Sequence, residues 1–190
     1  AAVCASLPRP GRSLLAAAAA AFFTLNAAGD IRQCWIPMSK HHRALEARLR
    51  QLENVAPGDI LIISGAPYEI GTAQHPSMHT SVSANPFAEW ATGVAPLEVG
   101  LEVRTHHDGL EVFQRDYRRG ISAEELGRAH VLVESVSGVI SSRRWVAQEL
   151  GGGRFRLLAL KGSTSPAGVF SREQLLLAGE SIYFAEATHQ

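Results

Sequence analysis

The 190-residue chain has only two cysteines, Cys4 and Cys34, and only two lysines, Lys40 and Lys161. Two thiols cannot form a disulfide framework, and removal of an N-terminal leader would leave Cys34 alone. A net charge is also missing, because eighteen basic side chains balance eighteen acidic ones. With no basic field to neutralise phosphates, nucleic acid is not an expected partner. The glycine signatures of nucleotide binding are lacking too. Gly151-Gly152-Gly153 stands between a helical pattern and an apolar strand pattern, the reverse of the strand, glycine turn, helix order that cradles phosphate. No Gly-x-Ser-x-Gly elbow occurs, which weakens an α/β-hydrolase reading.

Acidic residues are absent from positions 1 to 29, where Arg9 and Arg12 precede the apolar run from Leu14 to Phe23. A charged stretch followed by an apolar one of this length has the form of a targeting segment, secretory or organellar. The apolar run falls short of the roughly 20 residues that cross a bilayer, so stable membrane insertion is not expected, and removal of the segment would leave a secreted or organellar protein. The alternative is an Ala-rich helix followed by a strand over Phe22–Leu25, turning at Ala28-Gly29-Asp30 into a second strand over Ile31–Ile36.

Residues 30–190 are long enough for one domain with its own core. A mean hydropathy of +0.01 and 46% hydrophobic residues place the whole chain among ordinary globular proteins. Ser39 is positioned to cap a helix with Leu45, Leu49 and Leu52 on one face, ending before Pro57-Gly58. Asp59–Ile63 is a short apolar run with β-branched residues, the pattern of a strand buried on both faces. Alternation over Leu97–Val103 and Leu110–Phe113 around His107-Asp108-Gly109 predicts a hairpin. Ser122 and Ser171 open capping boxes. Strands are expected at Met78–Val82, His130–Glu134, Phe155–Leu160 and Ser181–Phe184, and a helix from Ser142 through Trp145 to Leu150. Helices scattered among strands without strict alternation predict an α+β fold, a mixed or mostly antiparallel sheet with about three helices packed on it.

Candidate chemistry centres on Cys34 and the histidines. A thiol becomes a nucleophile when a neighbouring imidazole and a helix N-terminus favour the thiolate. Gln33-Cys34-Trp35, Pro57-Gly58-Asp59-Ile60-Leu61 and Met78-His79-Thr80-Ser81-Val82 together resemble, over three short patches, the NlpC/P60 and CHAP branches of the papain-like cysteine hydrolases. The resemblance implies a cysteine-dependent peptidase or amidase, with Cys34 as nucleophile and His79 as general base. His130, on Ala129–Val136, is the alternative base. The competing expectation is a non-catalytic module that binds a small molecule or peptide through the long 65–96 segment, with Tyr68, His75 and Trp90 as binding residues. His75 and His79 have zinc-like spacing, but Pro76 interrupts it; no metal and no cofactor is expected.

Overall fold

The computed structural model describes residues 9–65, 69–70, 75–76, 81–106, 109–114, 116–135 and 137–187. It opens on a helical rod: α1 (Arg9–Asp30), a π-helical turn over Ile31–Trp35, and α2 (Ile36–Leu49) follow one another without a break. The π turn accommodates Pro37. Proline has no N–H to continue the ladder, and here the amide of Ile36 reaches back five residues to the carbonyl of Ile31, the wider register that lets a helix continue past an interruption. Ser39 therefore caps nothing, and no strand forms over Phe22–Ile36. Leu52 lies beyond the helix but still packs on the core beside Leu45 and Leu49.

After α2 come β1 (Ile60–Ser64), the short pair β2 (Glu69–Ile70) and β3 (His75–Pro76), then helix α3 (Ser81–Thr92). The strand expected at Met78–Val82 gives way to α3 at its last two positions, and its first three lie outside the described residues. Helix α3 buries Ala84, Ala88 and Ala91, whose 3.6-residue spacing gives a smooth stripe that lets the helix lie close on the sheet. Next are β4 (Glu98–Gly100), β5 (Glu102–His106), β6 (Gly109–Gln114), β7 (Tyr117–Ile121), α4 (Ala123–Leu126), β8 (Ala129–Glu134), β9 (Ile140–Ser142), β10 (Trp145–Glu149), β11 (Arg154–Ala159), β12 (Phe170–Ser171), α5 (Arg172–Leu177), β13 (Ile182–Phe184) and β14 (Glu186–Ala187). Both capping boxes form as expected, at Ser122 and Ser171. The helix expected over Ser142–Leu150 is instead strand β10, hairpinned to β11 through Gly151-Gly152-Gly153, all three with positive φ. Every other residue of β10 faces a different core, a period of two that apolar content alone does not reveal.

The fold is α+β, with four continuous helical stretches among the described residues rather than three. Its larger sheets run β4-β1-β8-β9, β14-β5-β6-β7 and β12-β11-β10-β13. In the first, β1 is parallel to both β4 and β8; the second is a meander closed by β14. Ile60, Ile62 and Val131 of the first sheet meet Val103 and Val112 of the second and Val146 and Tyr183 of the third in one core. Leu61, Ile63 and Leu132 face the other way, under α2 and α3. The edge strand β4 is protected by α3, since Asn85 accepts from the amide of Val99 at 3.1 Å and Glu89 from that of Leu97 at 2.9 Å, which satisfies donors that would otherwise invite another strand.

Candidate functional site

The two ends of the β1/β8 pair carry different side-chain clusters. At the amino end, the Pro57-Gly58-Asp59 turn is tight: Gly58 has φ of +82° and donates to the carbonyl of Pro96, a conformation that favours glycine. Asp59 then folds back to accept the amide of Ala56 at 2.7 Å and the ammonium of Lys161. Its side chain is 3% exposed. His130, the second residue of β8, lies with Nε2 at 3.5 Å from the same carboxylate oxygen. Burial pushes the Asp59 carboxyl up, but the Lys161 hydrogen bond, the Ala56 amide and the charges of Lys161 and His130 together outweigh it and hold the group below its ordinary value. Burial lowers the His130 imidazole, and the Lys161 charge adds to that against the pull of Asp59. The cluster is a pin: it closes the turn before β1 and ties the segment after β11 to it.

At the carboxyl end lies a second pair. Glu134 ends β8, and on the same face His41 projects from α2 with Nδ1 at 2.9 and 3.1 Å from the two carboxylate oxygens. Both are largely buried, their side chains 6% and 12% exposed. A carboxylate only accepts, so Nδ1 carries a proton towards Glu134, and Nε2 is the ring nitrogen left to face another group, as acceptor in the neutral tautomer or donor in the imidazolium. That Nε2 is buried and has no hydrogen-bond partner. His42 packs beside His41 and against Phe87 of α3, with ring centroids 5.6 and 5.4 Å apart. Gly65 follows β1 at this same edge with φ of +79°, and a Cβ there would stand 2.5 Å from the carbonyl oxygen of Glu134. The chain can leave β1 here only as glycine. Connections from β1 and β8 diverge at this edge, since β1 leads through α3 to β4 while β8 turns back into β9. In parallel sheets, such a divergence at the carboxyl ends is where ligands bind.

The residues expected from the sequence are dispersed. The backbone of Cys34 lies in the π turn, two helical turns before His41, which is about 10 Å along the axis. Because α2 runs from the carboxyl edge towards the amino edge, His130 sits at the opposite end of the sheet, about 20 Å from Cys34 along that direction. Parallel pairing of β1 with β8 puts His130 beside Asp59. His79 and Tyr68 lie outside the described residues, and of His75 only the backbone is described, in β3. Trp90 is 59% exposed on α3, with the Arg50 guanidinium 5.2 Å from its ring centre, and Trp35 is 53% exposed; neither is a core residue. Among the described residues, no three ligating side chains converge as a metal site would require. The sequence reading passed over His41 and Glu134 because they stand 93 positions apart and neither belongs to a motif.

Compared with protein-family models, curated proteins and solved structures, the chain matches none.

Proposed function

We propose that the domain is a binding module that takes a small polar ligand at the carboxyl-end crevice of β1 and β8, with the 65–96 segment as part of its walls. The observation that carries the reading is the buried His41 imidazole, oriented through Nδ1 by Glu134 and left with an unsatisfied Nε2. A buried polar atom without a partner costs about 1–3 kcal/mol, and a ligand hydroxyl or N–H donating to Nε2 would recover that cost. Protonation of His41 would turn Nε2 into a donor and favour an anionic group instead. The 65–96 segment is not one long loop, since it holds β2, β3 and α3; it enters the reading only as the chain that leaves β1 at Gly65. The amino-end cluster also holds a buried imidazole Nε2 without a hydrogen-bond partner, that of His130, but there it stands 3.5 Å from the Asp59 carboxylate, beside the Lys161 ammonium.

The test is ligand-observed NMR on the full chain with three probe sets: monosaccharides, nucleosides and short dicarboxylates. At least one set should bind the wild type, and His41→Gln and Glu134→Gln should each weaken that binding at least tenfold while the near-ultraviolet dichroism stays native. Binding that is unaffected by both substitutions, or absent from all three sets, would sink the reading.

A further inference from the structure

The first half of the helical rod is unlike the rest of the fold. From Leu14 to Ala28 every residue is exposed, including Leu14 at 72%, Phe22 at 64%, Phe23 at 71% and Leu25 at 73%. A soluble helix hides one apolar face and shows a polar one. Here there is no polar face, because residues 13–29 contain no charged side chain at all. Within Leu14–Gly29 the only polar side chains are Thr24 and Asn26, and both bond back to the helix itself: Thr24 Oγ1 donates to the carbonyl of Ala20 and Asn26 Nδ2 to that of Phe22, each at 2.8 Å. Such bonds add nothing for a helix in water, which would solvate those groups, but they are what hydrocarbon requires of every polar group it contains.

The dimensions agree. Seventeen uncharged residues make about 25 Å of helix, and the stretch from Arg12 to Arg32 about 30 Å, the thickness of a bilayer's hydrocarbon core. Arg32 can extend its head group into the interface, and Trp35 stands exposed just beyond it, where indoles concentrate at membrane surfaces. The sequence reading stopped at Phe23 and so found too short a run; the structure carries the helix through Asp30 and on into α2 without a break.

We infer that residues 13–29 are retained as a membrane-spanning helix, with a lipid bilayer covering that stretch of α1, and that the rod holds the α+β domain at the membrane surface. The inference is independent of the ligand site. To test it, the full chain with a C-terminal affinity tag is expressed in a bacterial host, and its membranes are washed with alkaline carbonate before extraction with a non-ionic detergent. Intact mass should correspond to the uncleaved chain. At least tenfold more protein should remain in the carbonate-washed pellet than in the wash, and detergent should release it. Ala18→Arg together with Phe22→Arg should reverse that ratio, whereas Ala18→Leu should not. Three results would overturn the inference: a mass lacking the first 27 or 28 residues, a full-length chain removed by carbonate, as for a helix lying in the interface, or a soluble oligomer that covers α1 with a second copy. The wild-type fractionation decides the matter even where the double arginine variant fails to fold.

Discussion

Replacing Lys161 with methionine should destabilise the protein more than replacing its partner Asp59 with asparagine, and the Lys161→Met deficit should depend on pH. Lys161→Met strands a carboxylate that is 3% exposed, with only the Ala56 amide and a histidine 3.5 Å away to stabilise it. Breaking a buried ion pair from one side costs about 3–5 kcal/mol, and the low end, about 3 kcal/mol, applies where one backbone N–H persists. Asp59→Asn strands an ammonium that is 22% exposed and can partly rehydrate, so about 2 kcal/mol is expected. At about 2–4 °C per kcal/mol for a domain of this size, the melting temperature should fall by about 6–12 °C and 4–8 °C respectively. In the wild type the folded Asp59 pKa lies below its ordinary value of 3.8, so its contribution is complete above that value and is lost only as pH falls through the folded pKa. In Lys161→Met the push from burial is no longer outweighed and the folded pKa rises above 3.8. That variant should therefore lose stability as pH rises from about 4 towards 7, and its deficit against the wild type should widen. The double variant should be more stable than Lys161→Met alone, because no charge is left to strand. The assay is thermal unfolding of the full chain in mild non-ionic detergent, followed by near-ultraviolet dichroism at pH 4, 5, 6 and 7. Deficits below about 0.5 kcal/mol in both single variants, or a Lys161→Met deficit that does not change with pH, would refute the assignment of this cluster as a buried pin.

His130 is held below its ordinary value of 6.5, chiefly by burial, so the wild type should lose stability as pH drops from about 6.5 through the lower folded value; His130→Asn should flatten that slope in the same unfolding series. A Cβ at Gly100 would collide with Cγ1 of Val112 and stand 3.0 Å from Cδ1 of Ile62 where the first two sheets meet. Gly100→Ala should therefore cost about 1–3 kcal/mol by overpacking, and Val112→Ala should recover part of it when combined. Arg119 grips Glu98 with two nitrogens at 2.8 and 2.6 Å and reaches Glu125 at 2.9 Å, joining β7 to β4 and α4. Arg119→Lys keeps the charge but loses the fork, and because these side chains are about one-third exposed, a loss of only about 1 kcal/mol in thermal unfolding is expected.

The elements legible in the sequence were those specified by local chemistry. Ser122 and Ser171 each stand three residues before a Glu or Gln, and both capping boxes formed because that reciprocal bonding needs no tertiary partner. The run at Ile60–Ile63 is buried on both faces, as its unbroken apolar pattern implied. The failures came where tertiary context overrode a local signal. Pro86 and its neighbours read as loop, yet α3 forms because Ala84, Ala88 and Ala91 find the sheet. Trp145–Glu149 carries no alternation visible in apolar content, since Ala147 and Gln148 are both buried, each on a different face. Arg119 closes a joint between sheets whose acids lie 21 and 6 positions away in the sequence, a separation no local pattern reveals. The candidate site was least legible of all. Pro57-Gly58-Asp59 drew attention as part of a hydrolase-like pattern, whereas the contacts of Asp59 account for it as a turn and an ion pair.

The rod and the crevice share one geometry. Helix α2 meets the sheet with its first turns at the carboxyl edge, where His41 reaches Glu134, and runs on towards the amino edge, with Arg48 bonding Ser142 of β9, opposite Leu132 of β8, at 2.8 Å. A membrane reached through α1 therefore lies on the carboxyl side of β1 and β8, not on the side of Asp59 and Lys161. His41 follows Arg32 by nine residues, about 14 Å of helix, so the unsatisfied Nε2 would stand within one side-chain-lined layer of the lipid surface. The domain is held rigidly rather than on a tether, because the π turn keeps the rod continuous and Leu45 and Leu49 fix it in the core. A ligand entering the crevice would then approach along the membrane plane, and its chemistry must suit both constraints: a polar group able to donate to an imidazole, on a molecule that can reach a site facing lipid.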